Sequence, residues 1–356
     1  MRASARSVCP HRLYLQPLRC IMRYTESIMR NIGLCIGAAF LCALSGCTKK
    51  ANEERTQSSI ILGFSQIGAE SAWRTFNTKS MRLAAERSGI RLLYENAEQK
   101  QENQIKAIRS FIVYQVDVIV FVPIVQDGWD NVLREAKDAG IPVIVYDRKL
   151  TVSNEDLYAG YIGTDSVEEG RAAARFLLDK FKNKGGPFNI LEIRGTDGSS
   201  ASDGRSSGFR EVLGDDDRFS IVYSESGDFI RSRGKEIAKT ILAANGSLSI
   251  DGKPIDIIVS NNDGMTLGFL DVLREHGIRT GKDIVVVSYD AEQEALDRLR
   301  AGEINCVVEC NPDSGERVME LVKLLAAGKS IPRRTDIPER VFTENDNLDD
   351  VPPRGY

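Results

Sequence analysis

Histidine is nearly missing from this 356-residue sequence, which holds only His11 and His276. That scarcity removes Ser-His-Asp and Cys-His nucleophile systems and histidine-based metal sites together. Cysteine is sparse as well, at seven residues, too few for a disulfide-built scaffold of this length. An excess of positive charge is also lacking. Lys and Arg number 47 against 51 Asp and Glu, a formal charge of −4, which excludes a generally basic nucleic-acid binder. The apolar run Ile32–Leu44 is thirteen residues long, short of the ~20 needed for a membrane-spanning helix. No GxGxxG follows a strand-like run. The segment Gly277–Asp283, GIRTGKD, is one residue short of a phosphate loop and lacks its Ser/Thr, so it reads as a helix C-cap and turn. What is present is a globular composition, 42% hydrophobic and 28% charged. The length suits two domains at ~100–200 residues each.

The composition is uneven along the chain. Residues 1–46 carry six Arg, one acid (Glu26) and four of the seven Cys; the remaining 310 hold 41 Lys and Arg against 50 Asp and Glu, a charge of −9. Arg30 followed by the run IGLCIGAAFLCAL has the order of a secretory signal, a basic flank and then an apolar core. Leu44-Ser45-Gly46-Cys47 then resembles a bacterial lipobox, in which the Cys47 thiol takes a lipid and becomes the new N-terminus. The expectation is a leader over 1–46, with 1–28 an extended or mis-assigned start, and a polar tether over 47–57. Cys306 and Cys310 remain. If both are extended they stand ~13 Å apart, beyond the ~7 Å reach of a disulfide. A bond would need a turn at Glu309–Cys310, and two semi-buried thiols are expected.

From residue 58 onward, short β-rich runs alternate with amphipathic stretches. SIILGFS, IRLLYE, VDVIVFVP and IPVIVYD read as strands, each followed by a helix or turn, and the pattern repeats from YAGYIGTD through FNILEIRG, FSIVYSES, IDIIVSNND, DIVVVSYD and INCVVEC. Residues 246–254 read as a loop. Near-continuous apolar strands are buried on both faces, as in parallel sheets covered by helices. The fold class expected is therefore α/β, two similar Rossmann-like, doubly wound lobes.

Ligands of open α/β sheets bind beyond the carboxyl ends of the strands. Polar residues collect there: Ser65-Gln66, Asp147-Arg148, Asn261-Asn262-Asp263, Tyr289-Asp290 and Glu309. Asp263 reads equally as a helix cap or a ligand contact. These are carbohydrate-binding types, because Asp and Glu accept from two hydroxyls while Arg and Asn donate at fixed angles. Trp73, in the loop SQIGAESAWR, and Phe229, in SGDFIRSRG, add aromatic faces for a sugar's C–H surface. His276, near a helix C-terminus, complements the helix dipole.

The segments ESAWR, QKQENQIKAIRSF, VDVIVFVP, GWDNVLREAKDAGIPVIVYDR, SGDFIRSRGKE and NND, in this order over about residues 58–330, resemble the periplasmic sugar-binding proteins of bacterial ABC importers. The likeness is to the ribose-binding-like, type I group, and most of all to its galactofuranose-binding branch. The resemblance implies two lobes joined by three crossover hinges near Gly163–Thr164, Glu309–Asn311 and Pro332–Thr335. It gives an N-terminal lobe of 58–163 plus 311–333 and a C-terminal lobe of 164–310 plus 334–356. It implies sugar contacts at Ser71, Trp73, Arg74, Asp147, Arg148, Arg205, Phe229, Asn262, Asp290 and Glu309. Glu309 stands where the ribose-binding member has an amide, which argues against ribose. The galactofuranose branch carries two second-lobe cysteines, and Phe188 and Ile257 stand at about those places here.

Arg74, Arg148 and Arg205 against Asp147, Asp290 and Glu309 make a balanced pocket, with Asp263 a fourth acid if it points inward. Such a pocket suits a neutral monosaccharide. The resemblance also implies a monomer without cofactor or catalysis, held in the periplasm by lipid on Cys47. It would deliver sugar to an ABC permease and ATPase, without binding nucleic acid. The alternative is a periplasmic sensor presenting sugar to a chemoreceptor or sensor kinase. The repressors that share this fold need a helix-turn-helix before the first strand, where this chain has a leader and tether.

Overall fold

The computed structural model describes residues 59–214 and 216–356. Residues 1–58, with the leader, the lipobox and Cys47, lie outside the described residues.

The first sheet has the strand order β2-β1-β3-β4-β5-β13: β1 (Ile61–Gln66), β2 (Arg91–Asn96), β3 (Val118–Phe121), β4 (Val143–Tyr146), β5 (Gly160–Gly163) and β13 (Arg334–Asp336). All its pairings are parallel. The second sheet is ordered β7-β6-β10-β11-β12-β14: β6 (Phe188–Arg194), β7 (Phe219–Ser226), β10 (Ile257–Ser260), β11 (Val285–Asp290), β12 (Cys306–Glu309) and β14 (Val341–Thr343). Only β14 runs antiparallel to its neighbour. Central strands such as VIVF, VIVY and IIVS are buried along their whole length. Helices cover both faces, which is why these strands show no polar alternation.

The first lobe carries helices α1 (Ala72–Arg87), α2 (Gln101–Val113), α3 (Asp130–Asp138) and, late in the chain, α9 (Gly315–Ala326). The second carries α4 (Ser166–Lys180), α5 (Ser200–Leu213), α6 (Arg231–Asn245), α7 (Asp263–Glu275) and α8 (Gln293–Arg300). Side-chain caps start several of them at the strand ends that face the other lobe. Ser71 accepts from Arg74 N, Asp165 from Val167 N and Glu168 N, Ser199 from Ser202 N, and Asn262 from Met265 N. Among the described residues, no helix is long and apolar enough to cross a membrane.

Among the described residues, three segments cross between the sheets. The first leaves β5 for α4 at residues 164–165, and the second leaves β12 for α9 at 310–314. The third differs from the expectation of Pro332–Thr335. Arg334–Asp336 is itself a strand, paired with β5 from Arg334↔Tyr161 to Asp336↔Gly163. It covers a sheet edge that would otherwise leave backbone groups unpaired. The first sheet therefore extends to residue 336, the crossing is at 337–340, and residues 334–336 do not belong to the C-terminal lobe. The loop expected over 246–254 contains a short hairpin, β8 (Ser249–Ile250) with β9 (Lys253–Pro254). Asp251 and Gly252 turn it with positive φ, the geometry that a two-residue hairpin favours. Cys306 and Cys310 are free and fully buried rather than half-exposed.

One packing feature sets up the site. Helices α4 and α5 approach so closely that a Cβ on Gly170 would lie 2.1 Å from Arg205 O, and one on Gly208 would lie 2.0 Å from Val167 O. Only glycine permits this, and the contact brings Glu169 of α4 beside Arg205 of α5.

Candidate functional site

The carboxyl ends of the strands in the two lobes face each other across a small cavity lined by residues of both lobes, the place where ligands of open α/β sheets bind. Nine of the ten residues expected from sequence line it: Ser71, Trp73, Arg74, Asp147, Arg148, Arg205, Phe229, Asn262 and Asp290.

From the first lobe, Arg74 Nε donates to Glu70 Oε1 at 3.0 Å, and Arg74 Nη1 lies 2.7 Å from Asp147 Oδ2. Burial alone would lower the Arg74 pKa. Asp147 and Glu70 outweigh it, so the guanidinium is held charged. Arg148 lacks such a carboxylate. Burial, reinforced by repulsion from Arg74, pushes it down to about 10. Its Nη1 donates to Ile124 O at 3.2 Å, while its buried Nε has no partner among the described residues.

From the second lobe, Arg205 donates to Glu169, to Asn261 O at 2.5 Å and to Asp290 Oδ1 at 3.2 Å. Burial would lower Arg205, but Glu169 and Asp290 raise it above the ordinary arginine value. Burial raises Asp290 well above the carboxylate range despite Arg205 beside it.

The two aromatics are set by backbone contacts. Trp73 Nε1 donates to Cys310 O at 2.5 Å, tying the ring to the second crossover. Phe229 packs against Gly195, where a Cβ would fall 2.0 Å from Phe229 Cζ. The Arg148 guanidinium lies 5.0 Å from the centre of the Phe229 ring, close enough for a cation–π contact across the cleft. Asn262 is largely committed to structure. Its Oδ1 caps α7 and its Nδ2 donates to Phe229 O at 3.2 Å, which leaves one amide hydrogen free. Asp147, Phe229 and Asp290 all have positive φ, at 63°, 61° and 108°. Backbone of this kind in non-glycine residues carries ~1–3 kcal/mol of strain and collects at functional sites.

Glu309 is not in the cavity lining. It pairs with Arg354 Nη2 at 2.5 Å, because the C-terminal segment folds back over the end of β12. It therefore gives no argument for or against ribose. Asp263 is neither the cap nor a cavity residue. It bonds Ser288 Oγ and accepts from Glu292 N at 2.7 Å, behind the site. Sequence reasoning passed over Glu70, Thr164, Ser166, Glu169 and Cys310, which also line the cavity. Glu70 lay inside the quoted ESAWR segment. Glu169 had only a faint signal, an acid on the buried face of an amphipathic helix. The lining thus holds three arginines against four acids, not the three-to-three balance expected.

The lobes are closed on one another. Trp73 N donates to Glu292 Oε1 at 3.2 Å, Gln126 N to Gly198 O at 2.9 Å, and Lys149 N to Ser200 Oγ at 2.7 Å. Inside, Glu70 Oε2 and Arg148 Nε are buried without hydrogen-bond partners among the described residues. Unmatched polar atoms in a small cavity otherwise lined by carboxylates and guanidinium groups fit a molecule with many hydroxyls.

Residues 62–330 match the periplasmic binding protein domain. The chain belongs to the periplasmic binding protein family. It is 34% identical over 301 residues to the galactofuranose-binding protein YtfQ of Escherichia coli, covering 83% of this chain and 93% of that protein. A Mycobacterium smegmatis protein solved in complex with β-D-fucofuranose is 41% identical with a TM-score of 0.76, over 80% of this chain and 92% of that one. The binding component of the arabinose ABC transporter of Shewanella sp. ANA-3, bound to α- and β-L-arabinofuranose, is 38% identical with a TM-score of 0.74, over the same shares. These family members are sugar-binding proteins and not enzymes. The lobes, crossovers and interlobe cavity of this chain are those of a periplasmic binding protein of type I.

Proposed function

We propose that this chain is the substrate-binding component of an ABC sugar importer and binds a neutral monosaccharide in its furanose form between the lobes. The observation that carries this reading is the closed cavity itself, where charged and polar side chains of both lobes converge and Glu70 Oε2 and Arg148 Nε are buried without partners among the described residues. The furanose form is suggested by relatives whose ligands are galactofuranose, fucofuranose and arabinofuranose. Sugar bridging Arg74, Asp147 and Arg148 to Arg205 and Asp290 stabilises the closed state over the open one. The closed monomer then docks on a permease driven by an ATPase. Lipid on Cys47 keeps the receptor at the membrane surface facing the periplasm.

A thermal-shift screen of D-galactose, L-arabinose, D-fucose, D-ribose and D-glucuronate tests the ligand class. Saturation at 100 times Kd raises stability by ~2.7 kcal/mol. Carbon NMR of bound [1-13C]galactose then reports the ring form. Binding of the uronate alone would overturn the neutral-sugar reading, and a bound pyranose would overturn the furanose one. For the anchor, Cys47→Ala should lose fatty-acid labelling and move from the membrane to the soluble fraction. Unchanged membrane association would count against lipidation.

A further inference from the structure

At one wall of the cavity, the three crossovers described above meet one helix. Thr164 comes from the first, Cys310 from the second and Glu339 from the third; Glu169 comes from the first turn of α4. The ligand-type atoms of Glu169, Cys310 and Glu339 all lie within 4.8 Å of one another. Thr164 Oγ1 is 3.5 Å from Cys310 Sγ. Glu169 Oε1 and Glu339 Oε1 are both buried and, with only unprotonated acceptors, have no partner among the described residues.

The surrounding charges decide what this pair can be. Among the described residues, the one cation in contact is Arg205 of α5, already shared between Glu169 and Asp290. Arg334 of β13 is occupied by Asp165 and Asp336, and Lys149 lies 3.8 Å from Asp165. The other facing groups are the Tyr161 and Tyr289 phenols, the Cys310 thiol, which burial keeps protonated, and the backbone N–H of Asp165. Among the described residues, no positive charge is left for a third carboxylate. Two like charges this close cannot both ionise in a buried site, so one carboxyl holds a proton.

We propose that Glu339 carries that proton and donates it to Glu169, tying the third crossover to the second lobe where the three hinge segments converge. Glu339 is thus a positioning residue: it holds Glu169, which in turn orients Arg205 toward the cavity. Burial and the neighbouring Glu169 push Glu339 up to about 11, whereas Arg205 holds Glu169 below its usual range against the effect of burial. These directions agree with the placement of the proton. A cation bridging the three groups is the rival occupant, and the Arg205 guanidinium against Glu169 opposes it.

The sugar arm of the test rests on the function proposed above; the proton arms do not. Infrared difference spectra of the full chain at pH 8, wild type minus Glu339→Gln, should show a protonated carboxyl band, and its absence would overturn the proposal. Glutamine mimics the neutral carboxyl. A folded-state pKa raised above the unfolded value of ~4.3 costs stability progressively as pH rises toward the folded value. The unfolding constant of wild type relative to Glu339→Gln should therefore rise by up to ~tenfold per pH unit between pH 6 and 9. A pH-independent ratio would overturn the assignment.

With D-galactose as probe, Glu339→Gln should keep its affinity within ~threefold, while Glu339→Ala, which has no donor, should lose ~tenfold or more. Equal affinities for the two variants would overturn the positioning role. If wild type binds no sugar, the functional reading fails while the infrared and pH arms still decide the proton. Stoichiometric Zn²⁺ binding by wild type that is lost in Glu339→Gln would also overturn it.

Discussion

Replacing Arg205 with methionine tests the second-lobe half of the site, because one guanidinium there serves three partners. It is 4% exposed, donates to Glu169, Asn261 O and Asp290, and lies 4.9 Å from the centre of the Tyr289 ring. Methionine keeps much of the length and removes the charge. Breaking a buried pair by deleting one partner costs ~3–5 kcal/mol, because the other charge stays buried and unpaired. At ~2–4 °C per kcal/mol for a protein of this size class, the melting temperature should fall by roughly 6–20 °C at pH 8.

The deficit should depend on pH in a set direction. In wild type, Arg205 outweighs burial and keeps Glu169 below its usual range. Without Arg205, burial of Glu169 is opposed only by the hydrogen bonds from Glu339 and Thr164, and burial of Asp290 only by the charge of Arg74, so both carboxyls rise in the folded state. A raised folded-state carboxyl contributes stability that is full below its unfolded pKa of ~4 and is lost as pH climbs. The variant should therefore be weakest relative to wild type at pH 8 and recover toward pH 5. Urea titrations of the full chain followed by circular dichroism at both pH values give the measurement. A deficit below ~1 kcal/mol at pH 8, or one that does not narrow at pH 5, would refute the buried-pair reasoning.

Three further outcomes follow from other contacts. Gly208→Ala drives a Cβ to 2.0 Å from Val167 O, so it should cost ~1–3 kcal/mol in urea titrations and weaken D-galactose binding by displacing Arg205; wild-type affinity would show that the helix pair does not position the arginine. Arg354→Ala leaves Glu309 buried without its partner and should lower stability by ~1–3 kcal/mol. Sugar affinity by calorimetry should stay close to wild type in that variant, since Glu309 lies outside the cavity lining. Cys306 and Cys310, buried with thiol pKa values raised by burial, should resist alkylation in the native chain and react in concentrated urea. Mass-spectrometric mapping that found either one labelled in the native state would contradict their burial.

Much of the fold was legible because both sheets are parallel apart from the edge strand β14. Apolar runs bounded by Gly, Asp and Asn announce such strands, and β1, β3, β4, β10 and β11 stand where the runs are. β13 was not legible. Arg334-Thr335-Asp336 has no apolar signature, and it is a strand only because the edge of β5 is there to be covered. The same limit applied at the site. Trp73, Arg74, Asp147, Arg148 and Asp290 stood out as chemistry-bearing residues at strand ends. Glu169 sits in the middle of a helical pattern, and nothing local shows that α5 will approach within glycine contact and place Arg205 on it. Glu309 misled for the converse reason: its position at a strand end pointed into the cleft, and the tail residue that neutralises it, Arg354, lies 45 positions later.

The sequence by itself determined the α/β class, the two-lobe plan and the family, because strand burial, helix periodicity and motif order are written in short stretches of chain. It also determined that histidine and cysteine chemistry would be nearly absent. Only the tertiary structure decided which acids face the cavity, where the third crossover lies and how three hinge segments converge on Glu169 and Glu339. Those outcomes depend on groups more than a hundred residues apart in the chain, such as Glu169 and Glu339, sharing one desolvated space. There the charge of each group is set by its neighbours, not by its own type.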